Sequence, residues 1–501
     1  MDREDGEAKA REVAQGGVDA KYHVLLVAFA SQGHINPMLK LGKRLASKGL
    51  HVTLATTETA RHRMVKANIT TTATTTNNPI HLEFFSDGLP IDFDRLNKMD
   101  HFFDQLEQHG PTNLSNLIES LSNCNGSKFS CIINNPFVPW VADVAQDHGI
   151  PCAMLWIQPC ALYAIYYRYY NGLNQFPTIA YPNMPVDLPG LPILCKEDLP
   201  SFVLPSNTFS SVSKTLTHLF GNMDKVKWVL GNSFYELEKD AVESMDKIQP
   251  IIPVGPLVSS MLLGEEDATD AGIDMWKADD SCIEWLDKQP LSSVVYVSFG
   301  SLVVLSSKQM ENIAWGLKNS CRPFLWVVKP PEYSVMDRTG QLPLELLKEM
   351  DGQGLVVTWC PQTKVLSHPS VACFVTHCGW NSILETVASG VPVITYPQWT
   401  DQPTNAKLLV EVFEIGVRFK VGPDGVVGQD EVERCIADIT EGPKAVGLKK
   451  KALYWKEAAR AAVGVGGSSD RNIQVFVDDV IHRAREYMSH EVSTSQCPQG
   501  S

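Results

Sequence analysis

Twice along its 501 residues the chain passes from an unbroken apolar strand through a short polar turn into a helix. That grammar restricts the fold more than any other feature. The first opening is VLLVAFA (24–30), which suits a strand buried on both faces. The turn Ser31-Gln32-Gly33-His34-Ile35-Asn36-Pro37 follows. MLKLGKRLASKG (38–49) then spaces apolar residues at helical intervals, with Gly49 as a C-cap. HVTLAT (51–56) is the next strand, so the unit is βαβ and its sheet is parallel. The second opening is SVVYVSFGS (293–301), followed by the helical SKQMENIAWGLKNS and the strand FLWVV (324–328). LVVTW (355–359), ACFVT (372–376), a helix near Asn381–Ala388 and VPVITY (391–396) continue the alternation. The pattern predicts an α/β protein of two doubly wound domains, with the cleft between them as the ligand site.

Composition fills in the boundaries. The chain carries 57 acidic against 43 basic residues, a formal charge of -14, which argues against a nucleic-acid binder. It leaves room for a small anion held by backbone N–H groups. Residues 1–21 hold ten charges and no apolar run, and read as a disordered extension rather than a secretory signal. Without a run of 18 apolar residues no membrane span is expected. The twelve cysteines are scattered and read as reduced core thiols, which fits a cytoplasmic protein. Matches to N-x-[ST] at Asn68, Asn113 and Asn125 are then chance. The expected division is a first domain over 22–257, an acidic linker over 258–281 and a second domain over 282–470. A C-terminal helix over 471–488 should pack back toward the first domain, leaving 489–501 as a frayed tail. The Thr-rich run 70–76 and the Pro-rich stretch 177–205 read as surface loops.

The chemistry concentrates in VTHCGWNS (375–382). A buried strand ends at Thr376 and a helix starts around Asn381–Ser382, at the sheet edge where open α/β sheets bind ligands. A helix N-terminus offers unpaired N–H groups and partial positive charge, enough to hold a diphosphate without many lysines. Gly379 permits close backbone approach, and His377, Asn381 and Ser382 can donate to phosphate. A polar helix cap beside a core histidine is the alternative, and the octapeptide alone leaves both open.

The surrounding stretch Trp359–Gln402, WCPQTKVLSHPSVACFVTHCGWNSILETVASGVPVITYPQWTDQ, closely resembles the signature box of plant secondary-product UDP-glycosyltransferases. The His34 turn, Pro-Val-Gly-Pro (253–256), Cys-Ile-Glu-Trp-Leu-Asp (282–287) and Gly-Gly-Ser-Ser (466–469) extend the resemblance over residues 22–485. It implies two facing Rossmann-like domains of the GT-B type and a metal-independent, inverting transfer with UDP-glucose as co-substrate and no cofactor. It implies that Trp359 stacks on uracil, and that Gln362 and Glu385 bind the ribose hydroxyls. His377, Asn381, Ser382 and Ser301 would hold the diphosphate, and Trp380, Asp401 and Gln402 the sugar. A final Gln in the box goes with glucose. His34 occupies the position of the family's general base.

One position departs from the family. Where an Asp usually pairs with the histidine, SCIINNPFVPWVADVA (130–145) places Asn135, which cannot stabilise an imidazolium and leaves the tautomer open. The Asn-Asn-Pro-Phe-x-Pro-Trp wording resembles the branch that forms glucose esters of hydroxycinnamic and hydroxybenzoic acids. Such acids, with pKa near 4, are ionised at pH 7, whereas a phenol must give up a proton at a penalty of roughly 4 kcal/mol. The preferred acceptor is therefore an aromatic acid or phenolic, the alternatives being O- or C-glucosylation of a flavonoid or terpenoid. Phe102, Phe103, Trp140, Trp156 and Tyr163 are candidates to line the acceptor pocket, or else packing residues. A non-catalytic UDP-sugar-binding protein would have no need of His34. Asp92-Phe93-Asp94 spells the metal motif of other transferases but lies in an expected loop, and no metal site is predicted. Neither β-α turn carries GxGxxG, against a dinucleotide oxidoreductase. A monomer is expected.

Overall fold

The structure is a computed structural model that describes residues 22–66, 80–95, 97–125, 128–265, 281–300, 303–328, 342–350 and 352–495. Among these, thirteen strands form two sheets in which every pairing between strands is parallel. The first holds β1 (His23–Val27), β2 (His51–Thr57), β3 (Ile80–Phe85), β4 (Phe129–Asn134), β5 (Cys152–Trp156), β6 (Val226–Gly231) and β7 (Ile252–Pro253). The second holds β8 (Val294–Ser298), β9 (Phe324–Val327), β10 (Gly354–Val357), β11 (Val371–Thr376), β12 (Val393–Thr395) and β13 (Gly416–Arg418). Both opening strands, β1 and β8, are buried at all five positions, as their unbroken apolar runs require.

Strand order is β3-β2-β1-β4-β5-β6-β7 in one sheet and β10-β9-β8-β11-β12-β13 in the other. Each sheet therefore reverses direction beside its opening strand, between β1 and β4 and between β8 and β11. Segments leaving neighbouring strands at such a switch point diverge and open a crevice. Val27 stands level with Asn134, and Ser298 level with Thr376. The turn after β1 thus meets the turn after β4, and the turn after β8 meets the one after β11.

The last helix, Ser468–Ser495, returns to the first sheet. Its Ile473, Phe476, Val477 and Val480 join the core of β1, β2 and β4, and Asp479 accepts from Trp228 Nε1 at 2.9 Å. Its backbone runs past residue 488, so the tail expected to be frayed from 489 is helical as far as Ser495. The Pro-rich stretch also departs from its expectation as a surface loop. Val186, Leu194, Leu199 and Phe202 are buried in the first domain's core. Asp198 crosses to the second domain, where Arg418 Nη1 donates to it at 2.8 Å and Lys407 lies at 3.4 Å. The Thr-rich run 70–76, residues 1–21 and linker residues 266–280 lie outside the described residues.

Candidate active site

His34 stands in the first turn of the helix Gln32–Ser47, not on a loop before it, because Ser31 already accepts the backbone N–H groups of His34 and Ile35. Its Nδ1 lies 2.9 Å from Asn135 Oδ1, across 101 residues of sequence. The same oxygen accepts the Phe137 backbone N–H at 3.1 Å. A backbone N–H can only donate, so the Asn135 atom facing both partners is the carbonyl oxygen, and His34 must donate from Nδ1. Asn135 therefore resolves the tautomer left open by the sequence: Nδ1 carries the proton and Nε2 keeps its lone pair. Burial outweighs the help of this hydrogen bond and lowers the His34 pKa to about 4. At pH 7 the ring is neutral and its free nitrogen is a weak base.

Across the crevice, the helix Trp380–Ser389 starts one residue before Asn381. Its N-cap, Gly379, has no side chain to satisfy the first N–H groups, and no acid occupies the first turn. Those donors stay open to an anion. His377 sits between two glycines: a Cβ on Gly300 would come within 2.7 Å of its ring, and one on Gly379 within 2.6 Å. Gly300 also has φ +73°, so glycine is required there on both counts. Burial lowers the His377 pKa to about 4. The charge facing an anion here is then that of the helix terminus rather than of an imidazolium.

Gln362, Ser382 and Glu385 form one cluster. Tyr296 Oη donates to Gln362 Oε1 at 3.0 Å, which turns the Gln362 amide nitrogen toward Ser382 Oγ (3.0 Å) and Glu385 Oε2 (2.6 Å). Glu385 carries acceptor oxygens of the kind a vicinal diol needs. Trp359 is half-buried just beyond β10. Ser301 lies outside the described residues.

At the next turn Thr400 adopts φ +58° and is bracketed by Ser201 of the first domain, which accepts its N–H and donates to its carbonyl, both at 2.9 Å. Asp401 is buried and accepts from Thr400 Oγ1 and Asn405 Nδ2, each at 2.7 Å, while burial raises its pKa. Gln402 Oε1 accepts from the backbone of Gln398 and Trp399, so its amide donors are free to turn to a ligand. The Trp380 indole is buried, and its Nε1 donates at 2.8 Å to the Asn232 carbonyl of the first domain, so the side chain joins the domains while its backbone stands at the helix terminus.

The aromatic candidates separate. Trp156 and Tyr163 have no exposure and pack edge-on at 5.6 Å inside the first core. Trp140 is also core, edge-on to Phe85. All three are buried members of the first domain's core. Phe102 and Phe103 are buried but touch Phe29, which lies 5.1 Å from the His34 ring. Phe137 meets that ring edge-on at 4.8 Å. Phe29 and Phe137 are the half-exposed aromatics on the histidine, and the sequence reading missed both. Phe29 was hidden in an apolar run, although Phe137 follows Asn135 by two residues. Asp94 of the Asp-Phe-Asp triplet is engaged by Asn97 on the surface.

A doubly wound pair of domains, with a histidine on one wall and an uncapped helix terminus on the other, has the GT-B architecture of glycosyl transfer. Residues 268–421 match the family described as UDP-glucoronosyl and UDP-glucosyl transferase. The chain is 49% identical over 456 residues to UDP-glycosyltransferase 84B2 of Arabidopsis thaliana, covering 91% of this chain and 99% of that protein. It is 47% identical over 473 residues to gallate 1-beta-glucosyltransferase of Quercus robur, covering 94% and 91%. Os79 from O. sativa, solved in complex with UDP, shares the fold with a TM-score of 0.80 at 32% identity, covering 91% and 100% of the two chains. The chain belongs to the UDP-glycosyltransferase family.

Proposed function

We propose that the protein transfers glucose from UDP-glucose to a small aromatic carboxylic acid and releases a β-glucose ester. The observation that carries this reading is the neutral His34–Asn135 pair at 2.9 Å. A base whose conjugate acid has a pKa of about 4 matches a carboxylic acid and not a phenol. Moving a proton from a phenol of pKa ~10 to that nitrogen is uphill by about 6 pKa units, roughly 8 kcal/mol. A carboxylate arrives without the proton and needs only to be oriented. Its oxygen attacks the anomeric carbon as the bond to UDP breaks on the opposite face, which inverts the configuration. The two electrons of that bond leave with the diphosphate, whose charge the Trp380–Ser389 helix terminus and Ser382 stabilise. Trp359 stacks on uracil, the Gln362–Glu385 pair holds the ribose, and Gln402 reads the glucose. The similarity to a gallate glucosyltransferase supports the same acceptor class. The twelve scattered cysteines fit a protein of the reducing cytoplasm.

The test is a panel of aromatic acids, phenols and terpenoid alcohols with UDP-glucose, read by product mass and by lability to mild base. Alkali-labile products confined to the acids are expected. Turnover of phenols or alcohols alone would overturn the reading.

Asn135→Asp changes the same step. A carboxylate beside Nδ1 favours the imidazolium and raises the His34 pKa from about 4. Phenol glucosylation should rise, its low-pH limb should move to higher pH, and ester formation should stay level or fall. The kcat/KM profile for one phenol and one acid between pH 4 and 9 checks this. No gain with the phenol in a folded variant removes residue 135 from acceptor selection.

A further inference from the structure

The helix Gln32–Ser47 contains Pro37 at its sixth position. In an α-helix the N–H of residue 37 bonds the carbonyl of residue 33, and proline has no N–H. The Gly33 carbonyl, one residue before His34, therefore lacks its helical donor. Asn381 Nδ2, from the other domain, donates to it at 2.8 Å. A Cβ on Gly33 would meet Asn381 Nδ2 at 3.4 Å, so the two domains touch directly here. A carbonyl only accepts, so the Asn381 atom facing it is the amide nitrogen. The second hydrogen of that nitrogen then points away as a donor, the polarity that an anion at this helix terminus needs.

We propose that Pro37 is a positioning residue for transfer: by leaving the Gly33 carbonyl open, it fixes the Asn381 amide and the spacing between His34 and the diphosphate helix. The inference rests on the donor-site reading above. It also gives the proline a role that opposes stability, because a proline inside a helix is unfavourable for the helix itself.

The experiment is a cycle of Pro37→Ala, Asn381→Ala and the double variant, with UDP affinity measured by calorimetry and Tm by thermal melting. Alanine returns the N–H, so the Gly33 carbonyl can turn back into its own helix. Pro37→Ala should weaken UDP binding about fivefold, the worth of one neutral hydrogen bond, while Tm does not fall. In the Asn381→Ala background the same change should leave UDP affinity where it was. Equal losses in both backgrounds, or no loss in the single variant, would overturn the inference. Should the smaller side chain prevent folding, Pro37→Val restores the N–H with more bulk and carries the same expectation. An Asn381→Ala variant that binds UDP as tightly as the parent would instead sink the donor-site reading.

Discussion

Replacing His34 by alanine is expected to slow phenol glucosylation by ~10²-fold, the low end of the usual effect of losing a general base because the neutral ring is a weak one, and ester formation by less. Only the phenol has a proton to surrender near neutral pH. The ring also packs on Phe29 and Phe137, so alanine disturbs the acceptor wall for both substrate classes alike. That shared loss sets the floor, and the excess for phenols measures proton removal. Single-turnover rates with one acid and one phenol separate the two contributions. Equal losses would mean that His34 positions the acceptor and does not deprotonate it.

Trp359→Ala is expected to weaken UDP-glucose binding by about 1–3 kcal/mol, the range found for one base stacked on one aromatic ring. The ring stands half-buried beyond the edge strand β10. Calorimetric titration with UDP measures the loss, and a thermal melt near that of the parent shows that the variant is folded. Unchanged affinity would take Trp359 out of the uracil site.

Much of the fold was legible because parallel strands covered on both faces have to be written as apolar runs. VLLVAFA and SVVYVSFGS name the two opening strands, whereas the switch points beside them come from the strand order of each sheet. Helix starts were less legible. Ser31 is a capping residue type, but Pro37 inside the helix made 31–37 read as a turn, and Gly379 offers no side-chain cap, so His34 and Trp380 fell outside the helices that hold them. The stretch 177–205 looked like a loop because its order comes from partners remote in sequence, such as Arg418 for Asp198. The donor cluster was readable only through its resemblance to the family box, since no spacing rule joins Gln362 to Glu385. The protonation state of His34 was not readable at all. It depends on the Phe137 N–H, which reaches Asn135 only once the turn after β4 has folded.

The most direct measurement gives the enzyme one acceptor that carries both nucleophiles, p-hydroxybenzoate, with UDP-glucose at pH 7. The proton spectrum of the product and its lability to mild base report which oxygen was glucosylated. If the neutral His34–Asn135 pair selects an acceptor that is already ionised, the product is the alkali-labile 1-O-β-glucose ester. An alkali-stable phenolic glucoside as the sole product would contradict it.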